Sequence, residues 1–243
     1  MTYKPGEYWQ QRLSTHFDLR GVGHISFDQR YNQYLYDLKL SRLEHLVKKH
    51  NICLEGKSIC DIGCGTGVFV DYYYKKRVRQ VIGLDIAPVS IQHLRGLFPT
   101  FNFCVVDVSK EPIRHVDKVD VVNAFDIFYH ITENDLFEYA LNNTSGILKA
   151  GGIAFMTDVF GRKDSSPARH VRFRGWQTWN KALAKNNLHV LDIAPIYYLM
   201  NRVFAPPFLL NKISQLLYRL DRALSERSLS NGMNIKLLLA RKE

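Results

Sequence analysis

The sequence predicts an α/β fold built on a doubly wound, largely parallel β-sheet. From about residue 50 onward, short β-rich runs alternate with segments of helical periodicity, which is typical of βαβ units with right-handed crossovers. The central runs are continuously apolar, as expected for parallel strands that are buried on both faces. The seven predicted strands are residues 57–62, 80–85, 101–107, 118–125, 152–160, 189–199 and 234–242.

The composition is that of a globular protein. The 243 residues are 46% hydrophobic and 23% charged, which is ordinary for a folded domain of this length. The first twenty residues lack the apolar centre of a signal peptide, and no uncharged apolar run of 18 residues occurs. The four cysteines lack the paired spacing of a zinc site or a disulfide framework. We therefore expect no metal and a reducing, cytoplasmic location.

We expect residues 1–243 to form one domain, because no low-complexity linker or internal repeat divides the chain. In its first part, apolar residues recur at helical spacing from Tyr36 to Val47, which predicts a helix that packs on the sheet. The three expected parts are an N-terminal helical cap (1–50), a central core (51–160) and a second half on the substrate side (161–243).

The second half contains a helical insertion, residues 200–231, before the last strand. A basic amphipathic helix of this kind packs on its own domain or lies on a membrane surface, and packing is the commoner outcome. The sequence leaves both open. The apolar stripe is Leu210, Ile213, Leu217, Leu220 and Leu224, and the basic residues off the stripe are Lys212, Arg219 and Arg222.

A glycine-rich turn, "DIGCGTG" at residues 61–67, follows the first predicted strand. A dinucleotide fingerprint would need its third glycine at the position of Val68, and a phosphate-binding P-loop would need a lysine after Gly67. The acid that precedes the glycines, Asp61, would repel a phosphate but suits a ligand that carries an ammonium group. The turn therefore predicts a ligand without phosphate.

Two further acids end the next two strands. Asp85 stands at the end of the second strand, where an acid would meet the hydroxyls of a ribose, and Asp107 ends the third, where it would accept a hydrogen bond from an exocyclic amine. An ammonium group, a ribose and an adenine amine together describe S-adenosylmethionine.

With these motifs the chain resembles the class I S-adenosylmethionine-dependent methyltransferases. The resemblance covers residues 57–160 and includes the turn "LKAGG" at 148–152, which matches the family's "LKxGG". It implies a Rossmann-like sheet of seven strands in the order 3-2-1-4-5-7-6 with the last strand antiparallel, and S-adenosylmethionine as the cofactor. It also implies a set of cofactor-binding residues: Tyr8, Trp9, Arg12, Asp61, Ile62, Gly63, Gly65, Gly67, Asp85, Ile86, Asp107, Val108, Asn123 and Phe125.

Within that set, the N-terminal "YWQQRL" is similar to the first segment of many of these enzymes, whose aromatic and arginine side chains close over the cofactor. Arg12 would pair with the methionine carboxylate, and Tyr8 or Trp9 would shield the sulfonium. The alternative is that Tyr8 and Trp9 only pack the first helix.

Three histidines are candidates for the general base that a hydroxyl acceptor would need. His130 follows the fourth strand at the expected active-site edge, His24 lies between glycines in the cap, and His170 follows the fifth strand. The sequence does not choose among them.

A basic cluster follows the fifth strand, in a segment that reads as a loop. Arg169, Arg172 and Arg174 alternate with other residues, so in an extended loop they would point one way. If they point inward, the acceptor is anionic; if outward, they form a solvated face. Trp176 would add an apolar wall to the substrate site, although helix packing explains it equally well.

We therefore expect transfer of a methyl group to a small-molecule acceptor. The acceptor group that we expect is a hydroxyl of a metabolite or a glycan. The alternatives are a lipid acceptor at a membrane surface and N-methylation, followed by RNA methylation and a non-catalytic binding protein. The net charge of +10 is the observation that suggests a nucleic-acid substrate. However, "NAFDIF" after the fourth strand differs from the "[DN]PP[YF]" of amino-group DNA methylation, so no stable nucleic-acid partner is expected. The oligomeric state stays open.

Overall fold

A computed structural model describes residues 3–114, 116–225, 232 and 234–243. With the elements numbered in chain order, the strands are β1 Ser58–Ile62, β2 Gln80–Asp85, β3 Asn102–Val105, β4 Val119–Ala124, β5 Leu148–Asp158, β6 Ser165–Ala168, β7 Val171–Phe173, β8 Leu188–Pro195 and β9 Lys236–Lys242. The α-helices are α1 Pro5–Thr15, α2 Leu19–Val22, α3 Gln29–Lys49, α4 Val68–Lys75, α5 Pro88–Leu97, α6 Asn134–Gly146, α7 Trp176–Lys185, α8 Pro207–Lys212 and α9 Ser214–Ser225. A short 3-10 helix spans Phe128–His130.

Seven strands form the main sheet, in the order β3-β2-β1-β4-β5-β9-β8. The strands β1 to β5 pair in parallel, and β9 runs antiparallel to both of its neighbours. Counted within this sheet alone, the order is the predicted 3-2-1-4-5-7-6, so the fold prediction is confirmed. The remaining strands, β6 and β7, form a separate two-stranded hairpin where the sequence predicted a loop.

Helices cover both faces of the sheet. Along β1, Ile59 belongs to the apolar cluster beneath α3 and α4, and the next residue, Cys60, belongs to the cluster beneath α6 and α7. This alternation is the period-2 pattern of a strand buried on both sides, and it explains why the central strands are apolar throughout.

The turn at "LKAGG" lies inside a strand. We expected a helix to stop at Gly151 and Gly152, but α6 already ends at Gly146 and β5 begins at Leu148. The pairing of β4 with β5 is irregular between Val119 and Val121, and Gly151 has a φ of +73°. The glycines therefore form a bulge that lets the strand continue.

Helix α3 closes one face of the fold. Asp28 caps its N-terminus by accepting a hydrogen bond from the Tyr31 amide, and Leu43 and Leu46 are fully buried against the sheet. Lys39, also buried, forms an ion pair with Asp126, which follows β4. The pair therefore fastens the middle of α3 to the carboxyl end of β4.

The helical insertion packs through only part of its predicted stripe. Leu210 and Leu217 are buried, whereas Ile213 and Leu220 are each more than 40% exposed. Residues 226–231 of the predicted insertion lie outside the described residues. Within the described ranges, no helix is long and apolar enough to cross a membrane.

We predict that the Lys39–Asp126 pair is essential for stability. Asp126→Asn leaves a buried ammonium group without its counter-charge, so the free energy of unfolding should fall by roughly 3 kcal/mol. Lys39→Met combined with Asp126→Asn should recover part of this loss, because no unpaired charge then remains buried. Urea unfolding of the single and double variants measures both effects.

The exposed pair of Lys185 with Glu138 is the matched control. Glu138→Gln should leave the free energy of unfolding nearly unchanged, since solvated ion pairs contribute little. A loss in Asp126→Asn as small as the loss in Glu138→Gln would show that the buried pair does not hold α3 in place.

Candidate active site

A cavity of about 800 Å³ lies at the carboxyl ends of β1, β2 and β4. In an open α/β sheet this edge is where ligands bind, next to the point at which the strand order reverses. The reversal here falls between β1 and β4. The volume is near the upper end of the roughly 300–1,000 Å³ typical of small-molecule sites, so the cavity has room for a cofactor and a second small ligand.

The glycine turn after β1 forms one wall of this cavity. Gly63 has a φ of +73°, and a Cβ atom there would lie 1.9 Å from Ile127 Cδ1. Gly65 has a φ of +51°, and a Cβ atom would lie 2.8 Å from Val22 Cγ1. Both positions therefore require glycine for backbone conformation and for space.

Asp85 holds the glycine turn against the end of β2. Its Oδ2 accepts a hydrogen bond of 2.7 Å from the Gly65 amide, and its Oδ1 accepts one of 2.9 Å from the Ala87 amide. Burial raises the pKa of Asp85, and these amides oppose that shift. The acid that was predicted to bind a ribose thus shapes the backbone of the site.

Asp61 is buried at the end of β1 with one oxygen unsatisfied. Its Oδ1 accepts a 2.7 Å hydrogen bond from Asn123 Nδ2, and Asn123 Oδ1 accepts one of 3.1 Å from the Tyr73 hydroxyl. Among the described residues, Asp61 Oδ2 has no hydrogen-bond partner. Burial raises the pKa of Asp61 to about 7. An ammonium group of a ligand would supply the missing donor and favour the ionised form.

Arg12 contributes an unsatisfied donor to the same cavity. Its terminal nitrogens donate to the carbonyls of Arg20 and Gly23 and to the Tyr8 hydroxyl, and its guanidinium lies 5.2 Å from the centre of the Trp9 ring. Arg12 Nε is buried and has no partner in the described part of the chain. The unsatisfied groups of Arg12 and Asp61 are complementary to the carboxylate and the ammonium of an amino acid.

Asp107 lines the cavity together with Val108 and Ile86. Its Oδ1 accepts hydrogen bonds from the amide and the hydroxyl of Ser109, at 3.1 and 2.6 Å, and Lys110 Nζ lies 3.2 Å from its Oδ2. This network fixes the carboxylate at the cavity edge.

Helix α1 brings the aromatic residues of the N-terminus onto two of the candidate histidines. The rings of Tyr8 and His170 stack at 5.3 Å, those of His170 and His130 stack at 5.6 Å, and the edge of Trp9 meets His130 at 5.0 Å. All four line the cavity. Tyr8 and Trp9 therefore line the cavity while they contact two of the candidate histidines.

His130 has a defined tautomer. Its Nδ1 lies 2.8 Å from the carbonyl oxygen of His170, and a carbonyl only accepts, so Nδ1 carries a proton. Burial lowers the pKa of His130 to about 4, although this hydrogen bond opposes the shift. At neutral pH the ring is therefore uncharged, and the lone pair of Nε2 has no hydrogen-bond partner in the described part of the chain.

The other two histidines also line the cavity. His24 lies against the Phe27 ring at 4.5 Å, and its Nδ1 accepts a 3.3 Å hydrogen bond from the Ser26 amide. Burial, followed by the charge of Arg12, lowers the pKa values of both His24 and His170.

Sequence reasoning missed a buried polar cluster in the lining of the cavity. Lys39, Asp126 and Tyr129 form its centre, and Tyr36 and Tyr197 complete it. Burial by itself would raise the pKa of Asp126, but Lys39 lowers it below its usual value, and the Tyr129 hydroxyl also bonds to this carboxylate. A lone lysine in a helix is usually solvated, so no pattern in the sequence indicates this cluster.

The predicted substrate residues do not line the cavity. Arg169 is exposed and Arg172 bonds to Asp164, whereas Arg174 is fully buried and donates to the carbonyls of Phe128, Ile131 and Glu133. The three arginines therefore do not point one way, because the chain folds into the β6–β7 hairpin instead of an extended loop. Trp176 packs beside Phe160.

Most of the predicted cofactor residues surround the cavity, and three stand behind its surface. Asp61 and Asn123 are buried and do not line it, and Gly67 is the N-cap residue that precedes α4. The remaining eleven line the cavity: Tyr8, Trp9, Arg12, Ile62, Gly63, Gly65, Asp85, Ile86, Asp107, Val108 and Phe125.

Comparison with known proteins places this site in a family. Residues 29–193 match the family model described as "Methyltransferase domain". The ubiquinone biosynthesis O-methyltransferase of Bradyrhizobium sp. is 27% identical over 131 residues, which are 52% of this chain and 49% of that protein. The chain thus spans about half the length of the curated relatives it matches.

Solved structures share the fold. Magnesium protoporphyrin IX methyltransferase from Synechocystis PCC 6803, with bound S-adenosylmethionine, has a TM-score of 0.64 at 12% identity, covering 100% of this chain and 99% of that chain. The N-methyltransferase NodS from Bradyrhizobium japonicum, in complex with S-adenosylhomocysteine, has a TM-score of 0.62 at 13% identity, covering 97% and 98%. The family match over most of the chain and the fold together show that the protein belongs to the class I S-adenosylmethionine-dependent methyltransferases.

Proposed function

We propose that the enzyme transfers the methyl group of S-adenosylmethionine to a hydroxyl oxygen of a small, largely aromatic or apolar acceptor, with His130 accepting the proton. The observation that carries this proposal is the hydrogen bond from His130 Nδ1 to the His170 carbonyl, which leaves Nε2 of a neutral imidazole free in the cavity. A positioned base of this kind is needed for a hydroxyl more than for an amine that is already deprotonated.

The residues that would hold the cofactor follow from the unsatisfied groups of the site. Asp61 would accept from its ammonium group, Arg12 Nε would donate to its carboxylate, and Asp85 and Asp107 would bind its ribose and its adenine amine. When bound, the cofactor supplies a methyl group on a positively charged sulfur. The remaining work of the protein is to orient the acceptor and to exclude water.

Most of the other side chains that line the cavity are apolar, and several are aromatic. Tyr36, Tyr129, Phe173 and Tyr197 line it, and Tyr129 and Phe173 pack with their rings 5.2 Å apart. Lys39 is committed to Asp126, and Arg174 lies outside the cavity. These walls favour an apolar or aromatic acceptor, and the arginine cluster no longer supports an anionic one.

The low pKa of His130 is compatible with its role as base. A hydroxyl oxygen becomes strongly acidic as it forms a bond to carbon, so a weak base can take the proton late in the transfer. A neutral imidazole is also available over the whole physiological pH range. The name of the Bradyrhizobium relative, an O-methyltransferase, supports the same choice of acceptor atom.

We predict that cofactor affinity depends on the protonation of Asp61. Because burial raises its pKa to about 7, a ligand ammonium group must displace a proton when the pH is below that value. The affinity for S-adenosylhomocysteine should therefore fall by about tenfold for each pH unit below 7. Calorimetric titrations between roughly pH 5.5 and 8 measure this slope, and Asp61→Asn should flatten it.

Asp158 is the matched control for this slope. Burial also raises its pKa to about 7, but both of its carboxylate oxygens already accept hydrogen bonds, from the Val159 amide and from Trp179 Nε1. Asp158→Asn should keep the slope of the parent protein. A slope that persists in Asp61→Asn and disappears in Asp158→Asn would contradict the assignment of Asp61.

We predict that His130→Ala lowers kcat by about 100-fold or more, because it removes the proton acceptor. The affinity for S-adenosylhomocysteine should change little. Transfer of labelled methyl from S-adenosylmethionine to a panel of hydroxylated aromatic compounds and their amino analogues measures the turnover and also identifies the acceptor atom.

His24→Gln is the control, since His24 lines the same cavity and should affect kcat much less. Methylation of the amino analogues alone, with full activity in His130→Ala, would favour N-methylation and remove the proposed role of His130.

A further inference from the structure

We propose that the outer surface of α8, α9 and the loop before them is a docking face for an anionic lipid bilayer. This docking face consists of six exposed apolar side chains: Phe204, Phe208, Leu209, Ile213, Leu216 and Leu220. Each of them is between 41% and 61% exposed. Scattered apolar residues are normal on a protein surface, but a continuous set of this size marks an interaction site.

The two helices present four of these six side chains as one continuous band. The Ile213 amide bonds to the Leu209 carbonyl, and the Leu217 amide bonds to the Ile213 carbonyl, at 3.2 and 3.0 Å. The helical hydrogen bonding therefore passes through the joint between α8 and α9. Leu209, Ile213, Leu216 and Leu220 are spaced by three or four residues, so they share one side.

The helical pair has a second apolar side, which is already occupied. Leu210 and Leu217 are buried within the protein, on the same side as Asp221. A helix that only packs on its domain needs one apolar stripe. The band of Leu216 and Leu220 is therefore additional, and the packing of the insertion does not account for it.

The charge beside the docking face is positive. Lys212, Arg219 and Arg222 are exposed, and their spacing places them along the neighbouring side of the helical pair. The only acid within α8 and α9 is Asp221, which is buried and accepts hydrogen bonds from the amides of Tyr198, Leu199 and Met200. An apolar band bordered by cations and free of carboxylates fits the interface of an anionic membrane.

The docking face is held rigidly by contacts with α3. The rings of Tyr34 and Tyr218 stack at 4.7 Å, and Arg30 donates a 3.0 Å hydrogen bond to Gln215. The Asp28 amide donates to Asn211, while the Asp28 carboxylate remains at the α3 terminus on the Tyr31 amide. Arg30 thus adds a further cation at the edge of the basic side.

A second copy of this chain fits the surface less well. A symmetric contact through the docking face would bring the basic sides of two copies close together, with no exposed acid on α8 or α9 to compensate them. A bilayer supplies both the apolar interior for the leucines and the anionic headgroups for the arginines.

Docking would also place the cavity close to the lipid. Ile25 lines the cavity and is 67% exposed, and its loop leads to Asp28, which contacts Asn211 of α8. An acceptor with a lipophilic tail could then enter from the bilayer. This consequence rests on the proposed function, whereas the docking itself does not.

Vesicle flotation of the full chain tests the docking. The protein should float with vesicles of phosphatidylcholine and phosphatidylglycerol at about 0.1 M salt, and it should float much less with pure phosphatidylcholine. Leu216→Gln with Leu220→Gln should weaken binding to the anionic vesicles at least about tenfold, because two apolar anchors are lost.

Two matched variants separate the docking face from general surface effects. Leu97, on α5, is 62% exposed, and Leu97→Gln should leave the flotation unchanged. Lys212→Gln with Arg219→Gln should weaken binding to anionic vesicles, whereas Lys163→Gln with Lys181→Gln, at exposed lysines elsewhere, should weaken it much less. The thermal shift with S-adenosylhomocysteine should remain in every variant, which shows that each one folds.

Absence of flotation at low salt would overturn the proposal, as would equal flotation of the Leu216/Leu220 and Leu97 variants. A dimer in sedimentation that the Leu216/Leu220 variant abolishes would assign the face to a second copy and would also overturn it. Flotation without methylation of any hydroxyl would instead contradict the proposed function and leave the docking face in place.

Discussion

The ion pair between Lys39 and Asp126 is the interaction on which the site depends most. Both charged side chains are largely buried, so removal of either one leaves the other charge buried without its partner. The pair joins helix α3 to the loop after β4, and the Thr157 hydroxyl on β5 bonds to the same aspartate. The cavity lies beneath this connection, and residues from both elements line it.

The side chains that line the cavity are held in position in two different ways. Around the glycine turn, Asp85 and Asp107 are set by hydrogen bonds from backbone amides close to them in sequence or in the turn itself. On the other side, His130 is set by the His170 carbonyl from the β6–β7 hairpin and by the rings of α1. The acids around the glycine turn are therefore held by the sheet and the turns that follow its strands, whereas the positions of Arg12 and His130 depend on the cap and the hairpin.

This difference separates the features that local sequence patterns predict from those that they do not. The strand order and the acids at the ends of β1, β2 and β3 follow local patterns, because parallel strands bring their carboxyl ends to one edge. The expected common direction of the three arginines rested on an extended loop, whereas the chain forms a hairpin there and Arg174 is buried against four backbone carbonyls. Likewise, the sequence predicted one apolar stripe on the insertion, but the leucines of α8 and α9 lie on two sides, one buried and one exposed.

By itself the sequence determined the fold, the glycine turn and a methyl donor that carries no phosphate. Each of these depends on residues that lie near one another in the chain or that recur from strand to strand. Only the tertiary structure decided that Lys39 faces Asp126, that His130 keeps Nε2 free, and that Leu216 and Leu220 remain exposed. These outcomes depend on contacts between distant segments. Burial, pairing and pKa shifts arise from those contacts, and no local pattern encodes them.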